Sequence, residues 1–226
     1  MKKILFNLIF IFALSIGGLA LSDGTAEASE LTALDEFILN LENDGSADAL
    51  EQIEKIANLS EEEKKEFNEI LSSPDKLNEE LQSNQEVTTK DSFIPSKDSV
   101  INKSPMIALA STPNGTYRSS AQTTLTSFGI TLIKYEIVGT YKITNGKITT
   151  AYDAKGETIR NWVPGASTVF QNGYGDIISG KYRGQANFSY DLGVGKFGIA
   201  RIGTVKTGFY VTPTGKITST YLNRET

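Results

Sequence analysis

The side chains that could catalyse a reaction in this chain are carboxylates, because the sequence contains no histidine and no cysteine. That composition excludes His-dependent triads, thiol catalysis, disulfides and Cys/His metal sites. Two carboxylates that converge in a pocket could still hydrolyse a glycosidic bond. The C-terminal part of the chain offers six candidates: Glu136, Asp153, Glu157, Asp176, Asp191 and Glu225. Their spacing selects no pair, so a hydrolase is the alternative hypothesis and not the first.

Two glycine-containing stretches, residues 153–157 and 172–176, carry oxygen ligands of the kind that calcium accepts. Neither has the spacing of an EF-hand, and Asp, Asn and Gly are also the residues that turns select. We interpret both stretches as hairpin turns and predict no metal and no cofactor. Ser119 and Ser120, which follow Arg118, are formal nucleophiles that no motif supports.

Recognition is a second kind of chemistry that the residue types indicate. All nine tyrosines lie in residues 114–226, where 13 Lys and Arg outnumber six Asp and Glu, a net charge of +7. Flat amphipathic rings beside positive charge suit a ligand with sugar rings and phosphates or carboxylates. The alternative is that most of these tyrosines are strand residues half-buried in the core, which would not contact a ligand. The candidate binding residues are Tyr141, Lys147, Tyr152, Trp162, Lys181, Arg183, Tyr210, Lys216 and Tyr221.

The elements that carry these residues are predicted to be β strands, since Thr, Ile, Val, Tyr and Phe dominate residues 114–226. Residues 128–152 match residues 197–221 at 11 of 25 positions, where chance gives about one or two, which indicates an internal duplication. Asn145-Gly146 is typical of a two-residue hairpin turn, and Thr214-Gly215 is its counterpart. We predict an all-β antiparallel sandwich or barrel, basic and duplicated, of roughly eight to ten strands.

Residues 29–83 are predicted to be an acidic helical segment. Apolar residues recur there at helical spacing, and Ser60 with Glu63 forms a capping box. Residues 29–103 hold 7 Lys and Arg against 19 Asp and Glu, a net charge of −12. Three or four helices packed as a small bundle follow from the pattern. Their acidic faces are either simply solvated or belong to a pro-region that covers the basic domain.

Residues 84–113 are predicted to be a disordered linker. Ser, Thr, Asn, Lys and Pro dominate this stretch, so it cannot bury enough apolar surface to offset the entropy of ordering. Lys90, Lys97 and Lys103 make it the natural target of an extracellular protease that would separate the two parts.

Residues 1–28 are predicted to be a cleavable signal peptide. Lys2 and Lys3 precede an uncharged apolar run, which is followed by a small-x-small pattern ending at Ala28, so signal peptidase would leave Ser29 as the new N-terminus. An uncleaved membrane anchor is the alternative. No later stretch approaches transmembrane length. We therefore expect a secreted or cell-surface protein without a stable transmembrane segment after cleavage.

The fold class is thus α+β by segments. In layout, with an export signal, acidic helices and a basic β domain, the chain resembles secreted proteins of Gram-positive bacteria, including precursors of exported antibacterial proteins. The first functional hypothesis is a non-enzymatic exported protein that binds an anionic envelope polymer or lipid surface, in an antibacterial or toxin-like version with the helices as pro-region. Nucleic acid is not an expected partner outside the cell. The alternatives are a His-independent hydrolase of envelope glycans and a structural surface protein.

Overall fold

The computed structural model describes residues 31–83, 85–86, 92–95, 112–193 and 199–225. The predicted signal peptide, with its cleavage site between Ala28 and Ser29, and most of the predicted linker lie outside the described residues. Residues 31–226 form one compact unit, in which helices precede two antiparallel sheets. Within the described ranges, no helix is both long enough and apolar enough to span a membrane.

Four helices form the N-terminal part of this unit. The predicted capping box of Ser60 and Glu63 is confirmed at the start of the third helix, and Thr32 with Asp35 forms a second box at the start of the first. Gly45, at φ 60°, ends the first helix. The helices are α1 (Ala33–Asp44), α2 (Ala47–Ala57), α3 (Glu61–Ser72) and α4 (Pro74–Ser83).

The helices share an apolar core that follows the predicted spacing in α1 and α3. The rings of Phe37 and Phe67 meet edge to face with centroids 5.5 Å apart, and Leu41 is fully buried beside them. In α2 the predicted apolar face, Leu50, Ile53, Ile56 and Ala57, is confirmed only in part: Ile56 is buried and Ile53 packs on the core, but Leu50 is 56% exposed whereas Gln52 is 4% exposed. Gln52 can be buried because its side-chain oxygen accepts a hydrogen bond from the β domain, as described below.

Sheet A contains three long strands and two short ones. The short strands pair antiparallel with β3 and fall within the stretch predicted to be a linker. The strand order is β1-β3-β4-β5, with β2 also paired to β3. The strands are β1 (Gln85–Glu86), β2 (Ser92–Pro95), β3 (Gly115–Ser127), β4 (Ile130–Thr144) and β5 (Lys147–Asn161).

Sheet B contains four strands in the order β6-β7-β8-β9. They are β6 (Ala166–Ile178), β7 (Lys181–Gly193), β8 (Ile199–Val211) and β9 (Ile217–Glu225). Each strand pairs antiparallel with the next in the chain, and the connection from β5 to β6 passes from one sheet to the other. The β-sandwich-like architecture that the sequence predicts is therefore present.

The core between the sheets is rich in aromatic rings. Tyr141 of sheet A stacks on Tyr182 of sheet B with centroids 5.1 Å apart, and Tyr135 packs against Phe188 at 4.5 Å. All four side chains are fully buried. Aromatic pairs of this kind add stability beyond the area that they bury. Most of the tyrosines in the β domain therefore serve the core.

The interpretation of residues 153–157 and 172–176 as turns was wrong, since they lie inside β5 and β6. The glycines there allow a close approach of backbones, because a Cβ on Gly175 would lie 1.8 Å from the carbonyl oxygen of Tyr152. The predicted turn at Asn145-Gly146 is confirmed, with φ values of 51° and 71°. Ser179-Gly180 forms a turn with the same signs of φ.

Candidate functional site

The predicted binding lysines lie together at one end of the two sheets, where β4, β6 and β8 end. Lys147 and Lys216 are exposed, and half-buried Lys181 donates a hydrogen bond to Thr218 Oγ1 at 3.3 Å. Lys142, which the sequence analysis did not select, is exposed near the same turns. We call this region the lysine end, defined by Lys142, Lys147, Lys181 and Lys216.

The helices pack at the opposite end of the sheets, which we call the helix end and which contains the β3–β4 turn and the β5–β6 connection. The ring of Phe67 on α3 meets Phe128 in that turn with centroids 6.1 Å apart. The backbone N–H of Thr131 donates to Gln52 Oε1 at 2.8 Å in a buried position. Apolar contact and a buried hydrogen bond thus hold the helices to the β domain.

Trp162 belongs to the helix end. Its Nε1 donates to Asp44 Oδ2 at 3.2 Å, its carbonyl accepts from Asn40 Nδ2 at 3.0 Å, and its side chain is 3% exposed. Hydrogen bonds from Ser46, with further contributions from Trp162 and the nearby Arg160, lower the pKa of the Asp44 carboxyl. This predicted binding residue therefore attaches α1 to the sheets.

The acidic helices form ion pairs with basic residues of the helix end. Lys134 Nζ lies 2.5 Å from Asp48 Oδ2, and Arg160 Nε lies 3.2 Å from Asp44 Oδ2. These contacts neutralise two cations of the β domain. At the other end of the domain, Lys147 stays exposed. The acidic helices thus lie at one end of the compact unit, and a group of lysines lies at the other.

The outward face of sheet B holds Arg183, Tyr210 and Tyr221 together. Arg183 donates to both carboxylate oxygens of Asp176, with Nε–Oδ1 2.9 Å and Nη2–Oδ2 2.5 Å. These hydrogen bonds raise the pKa of Arg183. The ring of Tyr210 lies 6.1 Å from the ring of Tyr221, and burial raises the pKa of Tyr221 to about 12.

Two other predicted residues lie apart from this face. Tyr141 is fully buried, its hydroxyl lies 3.0 Å from Ser119 Oγ, and burial raises its pKa to about 12. Its ring packs within the core and does not face a ligand. Tyr152 is 45% exposed on β5 of sheet A, and its carbonyl accepts a hydrogen bond from Tyr182 Oη at 3.0 Å.

Tyr174, Asp176 and Gln185 share the outward face with Arg183, but none of them was among the predicted binding residues; Asp176 was considered only as a catalytic carboxylate or calcium ligand. In β7, Arg183 and Gln185 stand two residues apart, and this period places side chains on the same face of a strand. That alternation was visible in the sequence. Residues 172–176 were interpreted as a turn, and their place on this face follows from their position inside β6.

Two clefts of the described structure contain none of the six candidate carboxylates. The first, of about 510 Å³, lies at the helix end and is lined by Asp44 and Arg160 among others. The second, of about 460 Å³, lies between α3 and α4. Glu136 and Glu157 are cross-strand partners in sheet A, half-buried and exposed respectively. In the described part of the chain, no group of three or more acidic residues is placed to hold a metal ion.

No protein-family model matches the chain. Comparison with curated proteins and with solved structures likewise gives no significant match. Function must therefore be argued from the geometry of the β domain.

Proposed function

We propose that this chain is an exported, non-enzymatic protein that binds an anionic polymer or lipid surface of a cell envelope through the lysine end. The observation that carries the proposal is the separation of charge along the compact unit. Four lysines cluster at one end, whereas the acidic helices pack at the other. Export follows from the predicted signal in residues 1–28.

The electrostatics favour contact through the lysine end. A lysine close to an anionic membrane surface contributes about 1 kcal/mol of attraction, and this attraction falls off within about 8 Å at physiological ionic strength. Lys147, at the start of β5, and Lys216, in the loop before β9, are exposed and can approach such a surface without a change in the sheets. The helices, with a surplus of acidic residues, then point away from it. They orient the protein in this arrangement and do not cover the lysines.

Export is tested by the N-terminus of the protein recovered from culture medium. We expect it to begin at Ser29, because the small-x-small pattern ends at Ala28. Edman degradation or mass spectrometry identifies the residue. Protein found only in the membrane fraction and beginning at Met1 would contradict export by cleavage.

Surface binding is tested with residues 29–226, which contain the whole compact unit of residues 31–226. The protein is mixed with phosphatidylglycerol vesicles or isolated walls and sedimented. Reversing both charges in Lys147→Glu/Lys216→Glu should weaken binding at least tenfold at low salt, at about 1 kcal/mol for each lysine. Salt above about 0.15 M should weaken binding of the unchanged protein.

The matched control is Lys65→Glu, which reverses the charge of an exposed lysine on α3. This variant should bind nearly as well as the unchanged protein, because its position is remote from the lysine end. If Lys65→Glu weakens binding as much as a lysine-end substitution, net charge alone governs the interaction. If the unchanged protein binds neither walls nor vesicles, the proposed function is wrong.

A further inference from the structure

An aromatic and amide row crosses the outward face of sheet B in register. It runs from Tyr174 on β6 through Gln185 on β7 and Gly208 on β8 to Tyr221 on β9. Tyr174 is 51% exposed. The row therefore spans the full width of the sheet, with an aromatic ring on each outer strand. We call the surface formed by Tyr174, Gln185, Asn187, Tyr210 and Tyr221 the tyrosine face.

The ring of Tyr221 is held along the sheet. It passes over Gly208, since a Cβ at that position would lie 2.4 Å from the ring. Its hydroxyl donates to Gln185 Oε1 at 3.0 Å, two strands away. The ring thus rests on the backbone of β8 and is partly exposed. A ring fixed in this way needs little further ordering to accept a flat ligand.

Amide side chains continue from that hydrogen bond along the sheet. Gln185 Nε2 donates to Asn187 Oδ1 at 2.9 Å, and Asn187 Nδ2 donates to Asn172 Oδ1 at 2.6 Å. An amide offers two N–H donors and two lone pairs on its oxygen. These contacts use one donor and one acceptor on Gln185 and on Asn187. Both amides can therefore also hydrogen-bond a ligand hydroxyl.

The tyrosine face is close to neutral, unlike the lysine end. Arg183, which adjoins it, is paired with Asp176 through both carboxylate oxygens. Lys206 is the cross-strand partner of Asn187 and lies at the edge of the tyrosine face. A surface that binds bare phosphate or nucleic acid needs unpaired positive charge. Flat rings flanked by amides instead match the apolar C–H face of a pyranose and its equatorial hydroxyls.

We propose that the tyrosine face binds the uncharged pyranose backbone of an envelope polysaccharide. The sugar rings pack on Tyr174 and Tyr221, and their hydroxyls bond Gln185 and Asn187. The chain lies across the strands, in the direction of the row. This inference rests on the proposed function, because it names the envelope polymer that the protein binds. It assigns recognition of that polymer to a surface other than the lysine end.

The test measures pull-down of residues 29–226 on three insoluble glycans. They are chitin, cellulose and peptidoglycan stripped of its anionic polymers. We expect the protein to bind at least one of them, with less than a twofold change between 50 and 500 mM salt. Tyr174→Ala and Tyr221→Ala should each weaken that binding about tenfold, the equivalent of about 1.4 kcal/mol. Leu50→Ala, which removes an exposed apolar side chain from α2 at the helix end, is the control and should have no effect.

Tyr174 is half exposed, so its removal leaves no cavity in the core, and circular dichroism with urea unfolding confirms the fold of each variant. The inference is overturned if no glycan binds, if Tyr174→Ala and Leu50→Ala weaken binding equally, or if salt abolishes binding. Loss of glycan binding with retained binding to anionic vesicles would refute the tyrosine face alone. Glycan binding without any attraction to vesicles or walls would refute the lysine end alone.

Discussion

The β4–β5 and β8–β9 hairpins share a run of identical residues but place them on different sides of their sheets. Tyr141 and Tyr210 occupy matched positions, 69 residues apart. Tyr141 is fully buried between the sheets, whereas Tyr210 is half-buried on the outward face beside Arg183. A tyrosine at the matched position therefore serves the core in one hairpin and a surface in the other.

The pairing register accounts for the difference. Tyr141 pairs with Ala151, but Tyr210 pairs with Ser219, which is the counterpart of Thr150. Because side chains alternate along a strand, a shift of one residue moves them to the other face. Pro213 stands where the first hairpin has the strand residue Thr144 and has no N–H for the ladder, so the second hairpin closes with a wider loop.

The two matched segments thus have the same strand order but not the same turn. Asn145-Gly146 is a two-residue turn, whereas residues 212–216 form the loop between β8 and β9. Phe197, the counterpart of Phe128, lies outside the described residues. We propose that the segments arose by duplication and that their registers diverged afterwards. Their shared strand order and identical residues support this.

The largest expected effect separates the matched tyrosines. Tyr141→Ala should lower the free energy of unfolding by about 3–5 kcal/mol, because it leaves a cavity where the ring packs on Tyr182. Tyr210→Ala should cost less than about 1 kcal/mol, since its ring lies on the outward face. Urea unfolding of both variants measures the difference. Equal losses would mean that the two rings are equally important to the core.

A second matched pair, Val138 and Thr207, tests whether matched residues lie on opposite sides of their sheets. Each residue is replaced by the one at the other position. Thr207 is fully buried, and its hydroxyl donates to Thr123 Oγ1 of the other sheet at 2.9 Å, whereas Val138 is half-buried on the outward side. Thr207→Val should cost about 1–3 kcal/mol, because Thr123 loses its buried partner. Val138→Thr should change stability by less than about 0.5 kcal/mol. A larger loss of stability in Val138→Thr than in Thr207→Val would contradict the opposite orientation of the two hairpins.

The turns should respond differently to a β-branched residue. Asn145 has φ 51°, a conformation that β-branched residues resist, so Asn145→Val should destabilise the protein by about 1–2 kcal/mol. Thr214, at the matched position, is an exposed loop residue that is not among the described residues with positive φ. Thr214→Val should therefore be nearly neutral. Thermal unfolding of the pair reads out the difference, and equal destabilisation would argue for equivalent turns.

The smallest effect at neutral pH concerns the hydroxyl of Tyr141. Tyr141→Phe removes its hydrogen bond with Ser119 and should cost about 0.5–1.5 kcal/mol at pH 7. Burial raises the pKa of Tyr141 to about 12, so the folded state holds its proton where the unfolded chain, with a pKa near 10, releases it. Stability should consequently fall as pH rises from about 10 to 12.

The loss of stability between pH 10 and pH 12 should be smaller in Tyr141→Phe than in the unchanged protein, because phenylalanine has no hydroxyl to titrate. Unfolding curves in urea between pH 8 and pH 12 provide the measurement. An identical pH dependence for both proteins would show that Tyr141 does not contribute, and a steeper fall in the variant would contradict its burial.

Local features of the fold could be predicted from the sequence because neighbouring residues decide them. The capping box of Ser60 and Glu63 spans a single helical turn, and Asn145-Gly146 closes a two-residue hairpin. The apolar spacing of the helices and the β-rich composition of the C-terminal part likewise determine which kind of element forms. The charge surplus of each part is a matter of composition.

The tertiary structure decided where these elements meet. Gln52 is buried because Thr131, 79 positions further along the chain, donates to it, and no local pattern contains that pairing. The tyrosine face collects Tyr174, Gln185 and Tyr221 from three strands, and strand register selects the side on which each ring lies. Alternation along a strand fixes which residues share a face, but only the packing of one sheet on the other decides which face is buried.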